Sequence, residues 1–83
     1  MKRPRPGQIV VIEWADICSD CTWLNGEEQR AFAPGRCRAV GIVLSCDQKV
    51  LKLAHNVCLD DGRSDVSVYP IGVVQKVKVL ANG

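Results

Sequence analysis

The sequence predicts a mainly β domain: a small, five-stranded, partly closed barrel with one short helix in its first long loop. Three observations favour this class. Apolar and polar side chains alternate with a period of two along most of the chain. Turn-forming residues interrupt the alternation at short intervals. The 83 residues are enough for one small domain but not for two.

The N-terminal part of the chain predicts a leader and a first strand. Residues 1–7 are basic and rich in proline, and we expect a flexible leader there, followed by a single domain at residues 8–83. Residues Ile9–Asp16 alternate as a strand, with Val10, Ile12 and Trp14 on one face.

A loop and a short helix follow. Residues 17–26 are rich in turn formers and indicate a loop. Asn25 can cap a helix over residues 27–33, because its side chain can accept a hydrogen bond from a free backbone N–H of the first turn. Pro34 and Gly35 end that helix.

Residues 36–46 and 49–58 predict the second and third strands, joined by a tight turn at residues 47–48. Gly41, in mid-strand, suggests a bulge or bend. Two sets of side chains are expected to share a face each: Val40, Ile42 and Leu44 in the second strand, and Leu51, Leu53, His55 and Val57 in the third.

The C-terminal part predicts two more strands. A turn at residues 59–65 leads to a strand at residues 66–69. Pro70 cannot donate to a ladder, so a single 3₁₀ turn is expected before the last strand, residues 75–80, with Val77 and Val79 facing inward. A single flat sheet of this size would leave one face and two edges open, and curling removes both problems. This favours a Src-homology-3-like or Sm-like barrel, and an oligonucleotide-binding-type barrel is the second choice.

The charges exclude one class of partner. The chain has 11 basic and 9 acidic side chains, and Lys2, Arg3 and Arg5 of the leader hold three of the basic ones. The remaining 8 therefore face 9 acidic groups, which is not the charge pattern of a sequence-specific nucleic-acid-binding domain. We expect the leader to be a solvated tail.

Membrane insertion, secretion and catalysis are not expected. No apolar run approaches the roughly 18 residues of a membrane helix, and the N-terminus lacks a signal-peptide core. We therefore expect a cytoplasmic protein. No nucleophile, acid–base pair or phosphate loop is recognisable, so the protein is not predicted to be an enzyme.

Five cysteines leave a metal site open as an alternative. Cys18 and Cys21 have the spacing that presents two thiolates to one zinc ion, and His55 and Cys58 can complete a tetrahedral set. Against this, His55 and Cys58 lie three apart in a predicted strand and so point to opposite faces. Free cysteines in loop and core are the preferred interpretation, and no cofactor is expected; a redox-active pair is less favoured still.

A binding surface is predicted around the first long loop. Trp23 in this polar loop can stack on a planar ligand, with Trp14 and Tyr69 as further aromatic candidates. Arg36 and Arg38 can place guanidinium groups on a phosphate beside it.

The order of these features resembles a family of small proteins common in bacteriophage and prophage genomes. The shared features are the strand ending in Glu13 and Trp14, the polar loop to Trp23, the short Glu-rich helix, the Asp60-Asp61-Gly62 turn and the strand before Pro70. The resemblance implies a compact β-barrel and an accessory phage product in the bacterial host cytoplasm.

Together these observations predict a non-enzymatic binding module that self-associates as a homo-oligomer and captures a nucleotide-type ligand. A cyclic-nucleotide signal of antiphage defence is the specific candidate. Two alternatives stay open: an adaptor or inhibitor that binds a host protein, and a small structural zinc domain.

Overall fold

The computed structural model describes residues 2–16 and 23–83 and confirms the predicted class. The described part of the chain contains five antiparallel strands in one sheet and one short α-helix. The elements are β1 (Ile9–Asp16), α1 (Gly26–Ala31), β2 (Gly35–Cys46), β3 (Val50–Ala54), β4 (Ser67–Pro70), a 3₁₀ turn (Ile71–Val73) and β5 (Val74–Ala81).

The strands follow the spatial order β4-β3-β2-β1-β5, so β1 to β4 form a meander and β5 returns beside β1. β4 and β5 are the two edges and do not pair with each other, so the sheet is not closed. β4 has only four residues and ends at Pro70, which leaves little ladder for a closing strand. The five strands therefore form an open sheet and not a closed barrel.

The hydrophobic core lies on one face of this sheet, which we call the inner face. Val10 and Ile12 of β1 are fully buried there, as the alternation predicts. The other members of the core are Val43, Leu51, Leu53 and Tyr69. Burying one such aliphatic side chain stabilises the fold by about 1.5–3 kcal/mol, so these few residues carry most of the stability.

β2 alternates as predicted, but its larger aliphatic residues face away from the core. Val40 and Ile42 pair with Val11 and Ile9 on the outer face of the sheet, and Val40 is 49% exposed. Val43 and Gly41 lie on the core side of the strand, and both are buried.

Gly41 is needed for close packing rather than for a bulge. It pairs regularly with Val10, and the register shift of β2 lies later, between Val43 and Ser45. A Cβ at position 41 would lie 3.0 Å from the Ala54 carbonyl oxygen and 3.1 Å from the Leu53 Cβ. The absence of a side chain therefore lets β2 approach β3.

Helix α1 has the predicted cap and ends two residues earlier than predicted. The Asn25 side chain accepts from the Glu28 N–H at 2.9 Å, and the Glu28 carboxylate accepts from the Asn25 N–H at 3.1 Å, which forms a capping box. Phe32 is already extended, and Ala33 precedes Pro34, a position that disfavours helix. The helix buries no residue.

β3 is shorter than the predicted strand 49–58, because a side chain replaces the ladder at its end. Asp65 Oδ1 accepts from the backbone N–H groups of His55 and Asn56, both at 2.8 Å. The chain leaves the sheet after Ala54, and His55 is exposed. The placement of His55 with Leu51 and Leu53 on one face is therefore wrong.

The Asp65 contacts make the stability of this corner depend on pH. The hydrogen bonds from Asn56 and His55 lower the pKa of Asp65 below its ordinary value of 3.8. The stabilisation is therefore complete above that value and is lost as the pH falls through the lower pKa of the folded state. We expect Asp65→Ala to destabilise the protein at pH 7, and the difference from the wild type to shrink below about pH 4.

Thermal unfolding from pH 7 to pH 3 measures this difference. Asp60→Ala removes an exposed carboxylate from the preceding turn and is the control, with little expected effect at any pH. Equal melting temperatures for Asp65→Ala and Asp60→Ala would show that the two hydrogen bonds do not hold the end of β3.

Candidate functional site

The predicted aromatic partners Trp14 and Tyr69 lie together on the inner face. Their rings form an edge-to-face pair with centroids 5.3 Å apart. Tyr69 is buried in the core, and Trp14 packs against it. Both side chains therefore complete the core of the inner face.

The predicted arginines lie on the opposite side of the sheet. Arg38 pairs with Glu13 and Arg36 with Ala15, whereas Trp14 pairs with Cys37, so the arginines face outward. Arg36 and Arg38 line a groove of about 230 Å³ together with Glu13, Cys37 and Gln75. Arg38 Nη2 lies 3.4 Å from the Glu13 carboxylate. This carboxylate would repel a phosphate at the same place.

Trp23 is fully exposed and does not join either group. It lines neither the arginine groove nor the two clefts described below. The structure thus divides the five predicted ligand residues among three places: the inner face, the outer face and the loop before α1.

The predicted zinc ligands are only partly within the described residues. Cys18 and Cys21 lie outside them, while His55 and Cys58 are both exposed. Because β3 ends at Ala54, strand alternation does not separate His55 from Cys58. Within residues 2–16 and 23–83 no three His, Cys, Asp or Glu side chains are grouped as metal ligands. The zinc site stays a prediction that depends on Cys18 and Cys21.

The basic leader, which the sequence predicts to be a flexible tail, lies against the sheet. The Gly7 N–H donates to the Val43 carbonyl, and the Val43 N–H donates to the Gln8 carbonyl, both at 2.8 Å. Gly7 has φ +90°, which glycine adopts without strain and which turns the leader back over the inner face. Pro4 of the leader is buried.

Gln8 fastens the leader to the C-terminal end of β5. Its Oε1 accepts from the Arg5 N–H at 2.7 Å, and its Nε2 donates to Asn82 Oδ1 at 2.8 Å. Gln8 is the buried polar side chain of the described residues, and both ends of its amide have a partner. It therefore fixes the distance between the leader and β5.

Between these two segments lies a cleft of about 420 Å³, which we call the leader cleft. Its lining consists of Lys2, Arg3, Pro4, Arg5, Gln8, Val77, Val79 and Asn82. Three of these residues are cations and none carries a carboxylate. The leader cleft is thus a basic site with an apolar wall.

Arg3 also affects the pKa values of two groups at the β2–β3 turn, Cys46 and Asp47. Backbone hydrogen bonds from Val50 and Lys49 are the main cause of the lowered pKa of Asp47, and Arg3 lowers it further. Burial raises the pKa of the Cys46 thiol, which Arg3 partly offsets. Arg3 therefore favours the charged form of both groups.

A third cleft, of about 320 Å³, lies on the outer face along β5. It is lined by Val11, Glu13, Arg38, Lys76, Lys78 and Leu80. Lys76 and Lys78 face outward as the alternation predicts. This outer cleft mixes aliphatic and basic side chains around the Glu13–Arg38 ion pair.

Comparisons with known proteins return no match: no family model, no curated protein and no solved structure is significantly similar to this chain. The resemblance to phage proteins therefore stays a prediction.

Within residues 2–16 and 23–83 the structure contains no helix of the length and hydropathy that crossing a bilayer requires.

The leader cleft was not predicted, although the basic side chains that line it are evident in the sequence. Three cations within residues 2–5 indicate a basic segment, but not that it docks. Docking depends on Gln8 and Asn82, which are 74 positions apart in the sequence. No local pattern reports a contact over that separation.

Proposed function

We propose that this protein is a non-enzymatic binding module that captures a nucleotide-type anion in the leader cleft. The observation that carries the proposal is the set of three cations, Lys2, Arg3 and Arg5, around a cleft without a carboxylate. Guanidinium groups bind phosphate through paired charge-assisted hydrogen bonds, and an ammonium group adds a mobile point charge.

The size and the walls of the leader cleft suit a nucleotide. Its volume of about 420 Å³ falls in the range of small-molecule sites, about 300–1,000 Å³. Val77 and Val79 supply an apolar surface for a base or sugar, and the Gln8–Asn82 amide pair supplies polar groups at its end. Phosphate at the leader and base against β5 is the orientation that these walls favour.

The arginine groove on the outer face is the weaker candidate for the same ligand. It is smaller, at about 230 Å³, and Glu13 already neutralises Arg38. A phosphate there would have to displace or tolerate that carboxylate. We therefore move the proposed anion site from Arg36 and Arg38 to the leader.

The proposed setting is the cytoplasm of a bacterial host, where a phage-derived module of this kind would sequester a cyclic-nucleotide defence signal. Self-association and a structural zinc ion at Cys18 and Cys21 remain compatible proposals. Binding of a host protein is a second candidate function, and the free edge of β5 favours it.

Titration calorimetry of the full chain tests the proposal, with ATP, a cyclic dinucleotide, pyrophosphate and adenosine as probes. We expect heat with the anionic nucleotides, a weaker response to pyrophosphate and none to adenosine. Affinity should fall as sodium chloride is raised from 20 to about 500 mM, because salt screens the leader cations. Absence of heat with every probe at low salt would contradict the proposal.

A further inference from the structure

β5 is an edge strand with one side unpaired. It runs from Val74 to Ala81 and pairs with β1 alone; its other side faces no strand among the described residues. An edge strand presents a row of backbone N–H and C=O groups that can pair with another chain. Open edges of this kind bind extended segments by adding a strand to the sheet.

The usable part of this edge is short and regular. Register shifts against β1 lie between Ile9 and Val10 and between Glu13 and Trp14. Between the shifts, four residues of β5 keep an unbroken antiparallel register: Lys76, Val77, Lys78 and Val79. Because bulges interrupt pairing, an added strand is expected to match this stretch of four residues.

Two basic side chains stand on the outer face of that stretch. Lys76 and Lys78 are both exposed and lie two positions apart, so they project to the same side. The acidic cross-strand neighbour of Lys76 is Glu13, but the Glu13 carboxylate pairs with Arg38 at 3.4 Å. In the described part of the chain neither lysine forms an ion pair.

The same lysines oppose pairing with a second copy of β5. In antiparallel registers centred on Lys76, Val77 or Lys78, a lysine of one copy stands directly opposite a lysine of the other. Like charges in directly opposed positions destabilise a sheet. Lysines on an edge strand are also a common protection against self-pairing. The edge therefore favours an occupant of opposite charge.

We propose that the free edge of β5 binds an extended acidic segment of a partner protein as an additional strand. Two carboxylates of the segment, spaced two residues apart, lie opposite Lys76 and Lys78. The residue between them is apolar and faces the same side as Val77, which is half-buried against the core. The recognised pattern is acidic–apolar–acidic in an extended conformation.

Peptide binding to the full chain tests this proposal. The probe is a fluorescein-labelled peptide, Gly-Ser-Val-Glu-Val-Glu-Val-Ser-Gly, and its control carries glutamine at both glutamate positions. We expect the glutamate peptide to bind at least tenfold more tightly in fluorescence anisotropy. Equal affinities for the two peptides would overturn the proposal.

Charge reversal and backbone blocking separate strand addition from general attraction. Lys76→Glu with Lys78→Glu should abolish binding of the glutamate peptide and create binding of the matching lysine peptide; the milder Lys→Gln pair should weaken it. Two glutamate peptides, each N-methylated on one of the two alternate sets of residues, are compared: the one whose blocked N–H groups face β5 should lose at least tenfold in affinity. Unchanged affinity after charge reversal, or equal affinities of the two N-methylated peptides, would overturn the proposal.

Amide hydrogen exchange identifies the occupant of the edge. Within residues 76–79, slower exchange of the amides that do not donate to β1, seen only when the glutamate peptide is present, supports the proposal. Protection of the same amides in the free protein that becomes stronger as the protein concentration rises would show that a second copy occupies the edge. That result would overturn the proposal.

Discussion

Replacing Ile12 with alanine is expected to lower the free energy of unfolding by about 3–4 kcal/mol. Ile12 is fully buried and pairs with Ala39 of β2 on one side and Val77 of β5 on the other, so it lies on the inner face between two strands. A chain of 83 residues has a total stability of roughly 4–12 kcal/mol. The substitution should therefore remove a large part of the stability, which urea unfolding followed by circular dichroism measures.

A matched pair of valines in β2 provides the control for this prediction. Val43 is 1% exposed on the inner face, and Val40 is 49% exposed on the outer face. We expect Val43→Ala to cost about 2 kcal/mol and Val40→Ala less than about 1 kcal/mol. If Val40→Ala is the more costly of the two, the assignment of the inner and outer faces is wrong.

Removing the leader cations should cause the largest loss of ligand binding. In the variant with Lys2→Ala, Arg3→Ala and Arg5→Ala, we expect nucleotide affinity to fall about 100-fold or more. Each lost hydrogen bond to a charged group is worth about 1.5–3 kcal/mol, so one such contact already changes affinity tenfold or more. Calorimetry with the tightest-binding nucleotide measures the loss.

The control for this variant must remove the same net charge elsewhere. Arg30→Ala, Lys49→Ala and Arg63→Ala together remove three exposed cations that do not line the leader cleft. We expect a loss below about threefold, from the weaker long-range field alone. Equal losses in the two triple variants would mean that net charge, and not the leader cleft, binds the nucleotide.

The sequence predicted the strands well where alternation is regular. β1 has the predicted bounds, and the 3₁₀ turn follows Pro70 as expected, because proline both leaves the ladder and restricts its own backbone. The prediction for β3 failed at His55, because the ladder is replaced there by the Asp65 side chain. A contact between residues ten apart is invisible to a period-two pattern.

The candidate site was much less predictable. The sequence suggested basic side chains as possible anion ligands and favoured Arg36 and Arg38, which follow the aromatic loop. Alternation does not show that Arg38 lies opposite Glu13, because that pairing depends on the register between β1 and β2. The docking of the leader depends similarly on Gln8 reaching Asn82. Both features are set by strand pairing and not by local sequence.

The place where a nucleotide binds tests the proposed function most directly. ¹⁵N-labelled protein is titrated with the tightest-binding nucleotide of the calorimetric panel, and backbone amide shifts are followed by nuclear magnetic resonance. We expect the largest changes at residues 2–8 and 77–82, on the two sides of the leader cleft. Changes centred on Trp23, Arg36 and Arg38, with the leader amides unmoved, would contradict it.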